Sequence, residues 1–210
     1  TGHRISEDEI LRVVNSTNGL VVLDETCFLD PVPRRNSKTV QCLANDNVLS
    51  LRIFSKSLVM PVLWLGYGIG SQQVIKRIEA HIEPYSVNAA ALHYGLLCMS
   101  HIKDISLILK ETIVIRNELK ENIEDMGYKT LPVNGNFITV CFDSLRDCRK
   151  AILFLNKNGV LVSPIWSWEF TSKKEPFFRM GIPVKSDIPH VTFTLKILEY
   201  LMLIVVMKHY

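Results

Sequence analysis

Residues 51–58 read Leu-Arg-Ile-Phe-Ser-Lys-Ser-Leu, and the predicted fold depends on how this stretch ends. The apolar run that leads into it predicts a strand, which stops abruptly at Ser55-Lys56. A lysine at such a point can hold an aldehyde, because its neutral amine forms a Schiff base with a carbonyl. The alternative is a surface lysine that follows a buried strand. The dipeptide alone favours that alternative, since a two-residue motif recurs by chance.

A second strand end, upstream, supplies a carboxylate. Residues 20–23 form a continuous apolar run typical of a strand buried on both faces, and Asp24-Glu25 follows it. Ligands of open parallel sheets bind at the carboxyl ends of the strands, where both Asp24 and Lys56 are predicted to lie. A carboxylate there can keep a pyridine nitrogen protonated while the lysine moves a proton. The alternative for Asp24 is a structural salt bridge. Glu25 favours the ligand site, because two adjacent acids at a strand end are rarely needed for packing.

Three glycines interrupt the next apolar run, residues 63–70. Gly66, Gly68 and Gly70 lack the helix-opening third glycine of a dinucleotide-binding loop. They therefore predict close packing of backbone against backbone in a third strand.

The remaining elements suggest a long helix followed by a smaller lobe. Ser6 and Glu9 form a predicted capping box for a first helix, and Ser71 begins another. The sequence from 87 to 126 is helix-compatible, with a break near residue 100 and a C-cap at Gly127. Beyond that point the predicted strands cover 137–142, 160–162 and 177–182, with helices over 144–156 and up to about 207. Strands and helices in this order predict a small α+β lobe.

Composition excludes several classes of protein. Among the 210 residues, 48% are hydrophobic and 21% charged, which is ordinary for a globular chain with a core. A net charge of +3 from dispersed basic residues does not indicate a nucleic-acid partner. The five cysteines show no paired CxxC spacing, so they predict reduced thiols, no metal site and a cytoplasmic location. The apolar run at 201–207 is far shorter than the ~20 residues that span a bilayer, which argues against a membrane partner.

The motifs, taken in order, resemble the fold-type I aminotransferases. The subgroup they are most similar to contains histidinol-phosphate aminotransferase and threonine-phosphate decarboxylase. The opening Thr1-Gly2 is similar to the end of the family's Asn-Pro-Thr-Gly turn. The segments that carry the resemblance are 22–25, 51–57, 65–67, 132–137, 158–162 and 178–182.

The resemblance implies a pyridoxal 5′-phosphate enzyme and assigns roles to single residues. Lys56 would be the catalytic Schiff-base lysine, and Asp24 the partner of the pyridine nitrogen. Ser55 would bind the cofactor phosphate, and Arg179 would clamp the α-carboxylate of the substrate with its planar fork. Cys27 completes the predicted cofactor-binding set, at the position where the family usually has a tyrosine.

Two further positions depart from the family's pattern. Trp64 stands where the family usually has an arginine that binds the cofactor phosphate, and Ile53 replaces a hydroxyl residue. Losing a charge-assisted phosphate contact costs about 1.5–3 kcal/mol, or about a tenfold to hundredfold weakening.

The resemblance also implies how the chain is divided. It predicts an α/β fold with the C-terminal part of a large, mostly parallel cofactor-binding domain and a small α+β domain. The predicted parts are residues 1–103, a connecting helix over 104–127, and residues 128–210. The family's glycine-rich phosphate loop, its stacking aromatic residue and an asparagine for the ring oxygen are expected before Thr1. The family further implies a homodimer with its site at the subunit interface.

Three functions follow as alternatives. The first is an aminotransferase acting on an amino acid and a 2-oxo acid. The second is a pyridoxal-phosphate decarboxylase of the same family. The third is a truncated or degenerate relative that acts through subunit association, which Trp64 and Cys27 favour and the retained Lys56, Asp24 and Arg179 oppose.

Overall fold

The computed structural model describes residues 5–27, 29, 45–57, 64–132, 134–165 and 175–207. It divides into two compact units, one within residues 4–110 and the other within residues 111–210. The boundary falls inside one long helix, so the three-part division expected from the sequence stays a prediction. Residues 30–44, which include Cys42, lie outside the described residues, as do Trp166 and Trp168.

The first unit consists of a small sheet with helices before and after it. Side-chain caps begin three of these helices, with Ser6, Ser71 and Asn88 each accepting a hydrogen bond from the first turn. The predicted capping box between Ser6 and Glu9 is confirmed. The elements in chain order are α1 (Glu7–Ser16), β1 (Val21–Asp24), β2 (Val48–Ile53), α2 (Phe54–Ser57), β3 (Gly66–Gly70), α3 (Gln72–Glu79) and α4 (Ala89–Ser100).

The sheet of this unit has the order β1-β2-β3. β1 is parallel to β2, and β2 is antiparallel to β3. The prediction that the first strand is buried on both faces is wrong, since Val22 is 49% exposed and Leu20 54%. Along β1 half-buried and exposed residues alternate, so only one face of the strand packs against the protein. A continuous apolar run does not reveal which of its faces is covered.

The glycines of β3 lie against the backbone of β2. A Cβ atom added at Gly66 would lie 2.9 Å from the carbonyl oxygen of Arg52, and one added at Gly70 would lie 2.8 Å from that of Val48. Both distances are too short for a real side chain. The prediction of close backbone packing is therefore confirmed.

The second unit is an antiparallel sheet with helices packed against it, and its strands lie in the order β4 (Lys129–Thr130), β5 (Phe137–Cys141), β7 (Phe177–Gly181) and β6 (Val162–Pro164). Its core joins the long helix, both later helices and the sheet through residues such as Leu119, Leu155, Phe178 and Leu195. This architecture matches the predicted α+β lobe. The elements are α5 (Ile102–Asp125, which begins in the first unit), β4 (Lys129–Thr130), β5 (Phe137–Cys141), α6 (Leu145–Lys157), β6 (Val162–Pro164), β7 (Phe177–Gly181), a 3-10 turn (Lys185–Asp187) and α7 (Ile188–Met207).

Two glycines end helices of this unit with left-handed backbone, Gly127 at φ +83° and Gly159 at φ +80°. The strand expected from Val160 begins only at Val162. The reason is that the amide of Val160 donates to the carbonyl of Leu155, 2.9 Å away, and so still closes the end of α6.

Candidate active site

Asp24 and Lys56 lie at the same edge of the first unit's sheet. Asp24 is the last residue of β1 and is in register with Leu51 of the parallel neighbour β2. The amide of Glu25 donates to the carbonyl of Leu51 at 3.0 Å, which extends the pairing by one residue. β2 then passes directly into α2, the turn that carries Ser55 and Lys56. The carboxylate and the amine therefore both follow the carboxyl ends of neighbouring parallel strands.

The turn that carries Lys56 is fixed to the next strand. The amide of Phe54 donates to the carbonyl of Leu65 at 2.8 Å. The Phe54 ring also packs on that of Tyr67, with 5.2 Å between ring centroids. Ser55 and Lys56, which follow Phe54 directly, are both half-buried.

Asp24 is oriented by the turn that follows β1. One carboxylate oxygen, Oδ1, accepts from the Thr26 amide at 3.0 Å and from the Thr26 hydroxyl at 2.6 Å. Within the described ranges no hydrogen bond reaches Oδ2. The carboxylate is exposed, so Oδ2 can accept a hydrogen bond from a donor such as a pyridinium N–H.

Glu25 belongs to the packing of the sheet. Its Oε2 accepts from the Ser50 hydroxyl at 2.6 Å and from Arg52 Nε at 3.0 Å. Arg52 Nη2 lies 2.9 Å from the same oxygen, and both charged side chains are 8% exposed. The interpretation that two adjacent acids indicate a ligand site is wrong for Glu25. It is one partner of a buried, structural ion pair.

The three departures from the family's pattern cluster around this edge. Cys27 is an exposed free thiol in the turn after Asp24. Trp64 is 93% exposed, has φ +47°, and immediately precedes the Leu65 carbonyl that fixes α2. Ile53, the last residue of β2, is half-buried and paired with Gly66. None of these side chains brings a positive charge to the edge.

Arg179 lies in β7 of the second unit, in register with Thr139 on one side and Ser163 on the other. Its guanidinium carbon lies 4.2 Å from the centroid of the Phe137 ring, a cation–π contact. The side chain is half-buried. Stacking holds the planar fork in one orientation, which suits bidentate recognition of a carboxylate.

Sequence reasoning missed the role of Arg116. This buried side chain of α5 donates from Nη1 to the carbonyl of Gly135 at 3.0 Å. Burial lowers the pKa of the guanidinium. Arg116 thereby anchors the turn that leads into β5 and Phe137. The sequence signal that could have revealed this role is an arginine at a helix position where the periodicity expects an apolar residue.

A cavity of about 450 Å³ lies elsewhere in the second unit, between α5 and α7. Its lining includes Asp125, Lys196 and Glu199 but none of the predicted site residues. Across the described ranges no cluster of three His, Cys, Asp or Glu side chains is arranged to hold a metal ion. In the same part of the chain, no helix is both long and apolar enough to cross a membrane.

The residues at the sheet edge fit pyridoxal 5′-phosphate by their chemistry. The group needs an acceptor for its ring N–H, a primary amine for its aldehyde and donors for its phosphate. Asp24 Oδ2, the Lys56 amine and the Ser55 hydroxyl supply one of each at a single edge. The fit is weakest for the phosphate, since Trp64 contributes no charge there.

The sequence profile described as "Aminotransferase class I and II" matches residues 1–188. The histidinol-phosphate aminotransferase of Methanosarcina mazei is 29% identical over 189 residues, which is 89% of this chain and 49% of the relative. That of Caldanaerobacter subterraneus is 26% identical over 77% of this chain and 44% of the relative. The chain thus spans about half the length of the curated relatives it matches.

The solved structures confirm the predicted fold class. Histidinol-phosphate aminotransferase from Sinorhizobium meliloti, determined in complex with pyridoxal 5′-phosphate, matches with a TM-score of 0.82 at 14% identity. The match covers 96% of this chain and 55% of that one. At this identity the likeness shows the fold alone.

Proposed function

Because this chain belongs to the class I and II aminotransferase family, we propose that it binds pyridoxal 5′-phosphate at Lys56 and moves an amino group between an amino acid and a 2-oxo acid. The observation that carries the proposal is the shared edge of β1 and β2. Asp24 and Lys56 follow the carboxyl ends of two paired parallel strands there. One carboxylate oxygen of Asp24 is available to a new hydrogen-bond donor. Neither residue alone would indicate this chemistry.

When bound, the cofactor supplies an electron-accepting ring next to the substrate's α-carbon. Asp24 would accept the ring N–H through Oδ2 and so keep that nitrogen protonated. The Thr26 contacts fix Oδ1 and leave Oδ2 without a hydrogen bond from the described residues. The Ser55 hydroxyl would donate to the phosphate.

Lys56 has two tasks in this proposal. Its neutral amine would hold the cofactor aldehyde before the substrate arrives. Once released, the same amine would remove the α-proton and return it at another carbon, which is general base and acid catalysis by one group. Pairing of Phe54 with Leu65 fixes the start of the turn whose backbone carries Lys56. Arg179, stacked on Phe137, would bind the α-carboxylate of the amino acid.

The names of the curated relatives support a substrate of the histidinol-phosphate type. We further propose that the protein works in the cytoplasm as a homodimer, which is the arrangement the family implies. Light scattering tests the assembly, and a monomer at high protein concentration would contradict it.

One solved structure is consistent with the decarboxylase alternative. L-Threonine-O-3-phosphate decarboxylase from Porphyromonas gingivalis matches with a TM-score of 0.75 at 18% identity, over 93% of this chain and 60% of that one. The third alternative, a non-catalytic relative, gains support from the exposed Trp64 in place of a phosphate-binding arginine.

One assay separates the three. The purified protein is incubated with pyridoxal 5′-phosphate, an amino acid and a 2-oxo acid, and the new amino acid and any carbon dioxide are quantified. An aminotransferase forms the new amino acid and depends on Lys56. Carbon dioxide with a primary amine would indicate decarboxylation. If neither product forms, only the non-catalytic relative remains.

A further inference from the structure

The ion pair behind the candidate site joins the two strands that carry it. Glu25 directly follows Asp24, and Arg52 lies on β2 shortly before Lys56. Contacts from Ser50 and Arg52 converge on a single oxygen, Oε2 of Glu25, at 2.6 to 3.0 Å. The link therefore runs from the residue beside the carboxylate to the strand that leads into the lysine.

Burial makes this link rigid. Glu25 is 8% exposed, Arg52 7% and Ser50 0%. Hydrogen bonds of charged groups away from water are stronger than neutral ones and are little screened by salt. Since successive side chains of an extended segment point to opposite faces, Glu25 turns inward while Asp24 stays exposed.

The position of the link matters because strands open first at their ends. β1 ends at Asp24, and among the described residues its pairing with β2 extends beyond that point by one backbone hydrogen bond, from the amide of Glu25 to the carbonyl of Leu51. A segment held by few bonds opens locally at little cost in free energy. Any such opening would move the Asp24 carboxylate away from Lys56. Misplacement of a catalytic group by about 1 Å can cost about a hundredfold in rate.

We propose that Glu25 and Arg52 are positioning residues, which fix the carboxylate of Asp24 relative to the amine of Lys56 and thereby hold the cofactor ring in one orientation. The inference rests on the proposed function, since it needs a cofactor between these two groups. It assigns a role in the site to an ion pair that touches neither cofactor nor substrate.

The test compares substitutions at the C-terminal end of the β1–β2 pair with a substitution at its N-terminal end. Glu25→Gln keeps the shape of the side chain but removes its charge, and Arg52→Lys keeps the charge but removes the fork. Ser50→Ala is a milder variant that leaves the ion pair in place. Asn47→Ala is the matched control, because the Asn47 amide tethers the opposite end of the same strand pair.

Three quantities are measured for each variant: the dissociation constant of pyridoxal 5′-phosphate, the visible circular dichroism of the bound cofactor, and the denaturant midpoint of the cofactor-free protein. We expect Glu25→Gln and Arg52→Lys to weaken cofactor binding at least about tenfold, as loss of outer-shell partners does at metal sites. Ser50→Ala should weaken it about fivefold, the value of one hydrogen bond. Visible dichroism should fall with affinity.

Asn47→Ala should lower the denaturant midpoint while leaving the dissociation constant and the dichroism unchanged. The inference is overturned if the variants at Glu25, Arg52 and Ser50 bind the cofactor as wild type does. It is equally overturned if Asn47→Ala weakens binding as much as they do, because the pair would then act only through stability. Should Glu25→Gln fail to fold, Ser50→Ala decides. A wild-type protein that takes up no cofactor would refute the proposed function itself.

Discussion

The two ends of the β1–β2 pair carry similar polar residues that do different things. At the N-terminal end, the side-chain amide of Asn47 donates to the carbonyls of Val14, Thr17 and Gly19 at 3.0 to 3.4 Å. The backbone carbonyl of Asn47 accepts from the Val21 amide at 2.8 Å. At the C-terminal end, Asp24 keeps one carboxylate oxygen without a hydrogen bond from the described residues.

The difference teaches how to separate structural from functional polar groups. The two side-chain N–H groups of Asn47 donate to backbone carbonyls, so this side chain closes a turn. At the C-terminal end, the polar residues differ from one another in role. Glu25 forms the buried ion pair, and Asp24 and Lys56 are the residues that we propose bind a ligand at the edge. The sharpest way to break this contrast is to remove the lysine.

Replacing Lys56 with Ala should abolish amino transfer. Loss of the group that moves the proton should lower kcat by at least about 10³-fold, within the range for general acid–base catalysis. The measurement is the rate of new amino acid formation at saturating substrate. Lys76→Ala, an exposed lysine of α3, is the control and should keep wild-type activity. Unchanged turnover in the Lys56 variant would remove the aminotransferase proposal.

Much of this end of the sheet could be predicted from the sequence, and the reasons are local. The caps at Ser6 and Ser71, the strand before Ser55 and the tight packing of Gly66 follow from short-range sterics and hydrogen bonding. The fates of Glu25 and Val22 depend on neighbours distant in sequence, so both interpretations failed. The assignments of Lys56 and Asp24 came from the strand ends together with the resemblance, and those of Ser55, Cys27 and Arg179 from the resemblance alone. All of them stay predictions.

The second unit shows the same limit. Gly127 was predicted as a helix end because left-handed backbone favours glycine, and Gly159 has the same backbone conformation. β4, only Lys129–Thr130, was not predicted, since two residues carry no periodicity. Val160 was assigned to a strand because a β-branched residue favours one, but its amide closes a helix instead.

The buried pair gives the next largest effect. Glu25→Leu alone leaves the Arg52 charge buried without this partner and should lower the free energy of unfolding by about 3–5 kcal/mol. Adding Arg52→Met should recover most of that loss, because apolar side chains of similar size replace buried pairs at little cost. Urea denaturation of the three proteins measures both numbers. A double variant as unstable as the single one would mean that Arg52 has a separate structural role.

Trp64→Arg should strengthen cofactor binding about tenfold to hundredfold, since it restores a charged donor to the phosphate. The substitution exchanges one exposed side chain for another at the same φ of +47°, so it adds no backbone strain. Titration of the visible absorbance gives the dissociation constant. Trp64→Gln is the uncharged control. Equal affinity in the two variants would place the phosphate away from this position.

Asn47→Ala should have the smallest effect of the four. An amide with two N–H groups forms at most two good hydrogen bonds at once, each worth about 1 kcal/mol. The expected loss of stability is therefore about 1–2 kcal/mol, measured by urea denaturation, with activity per folded molecule unchanged. A selective loss of activity would show that the N-terminal end also serves the site.

The central claim is that Lys56 holds the cofactor, and chemical trapping tests it most directly. The purified protein is mixed with less than one equivalent of pyridoxal 5′-phosphate, reduced with borohydride and digested, and the labelled lysine is located by mass spectrometry. The account predicts one dominant label, on Lys56, and no stoichiometric label in Lys56→Ala. A label spread over exposed lysines in wild type and variant alike would contradict it.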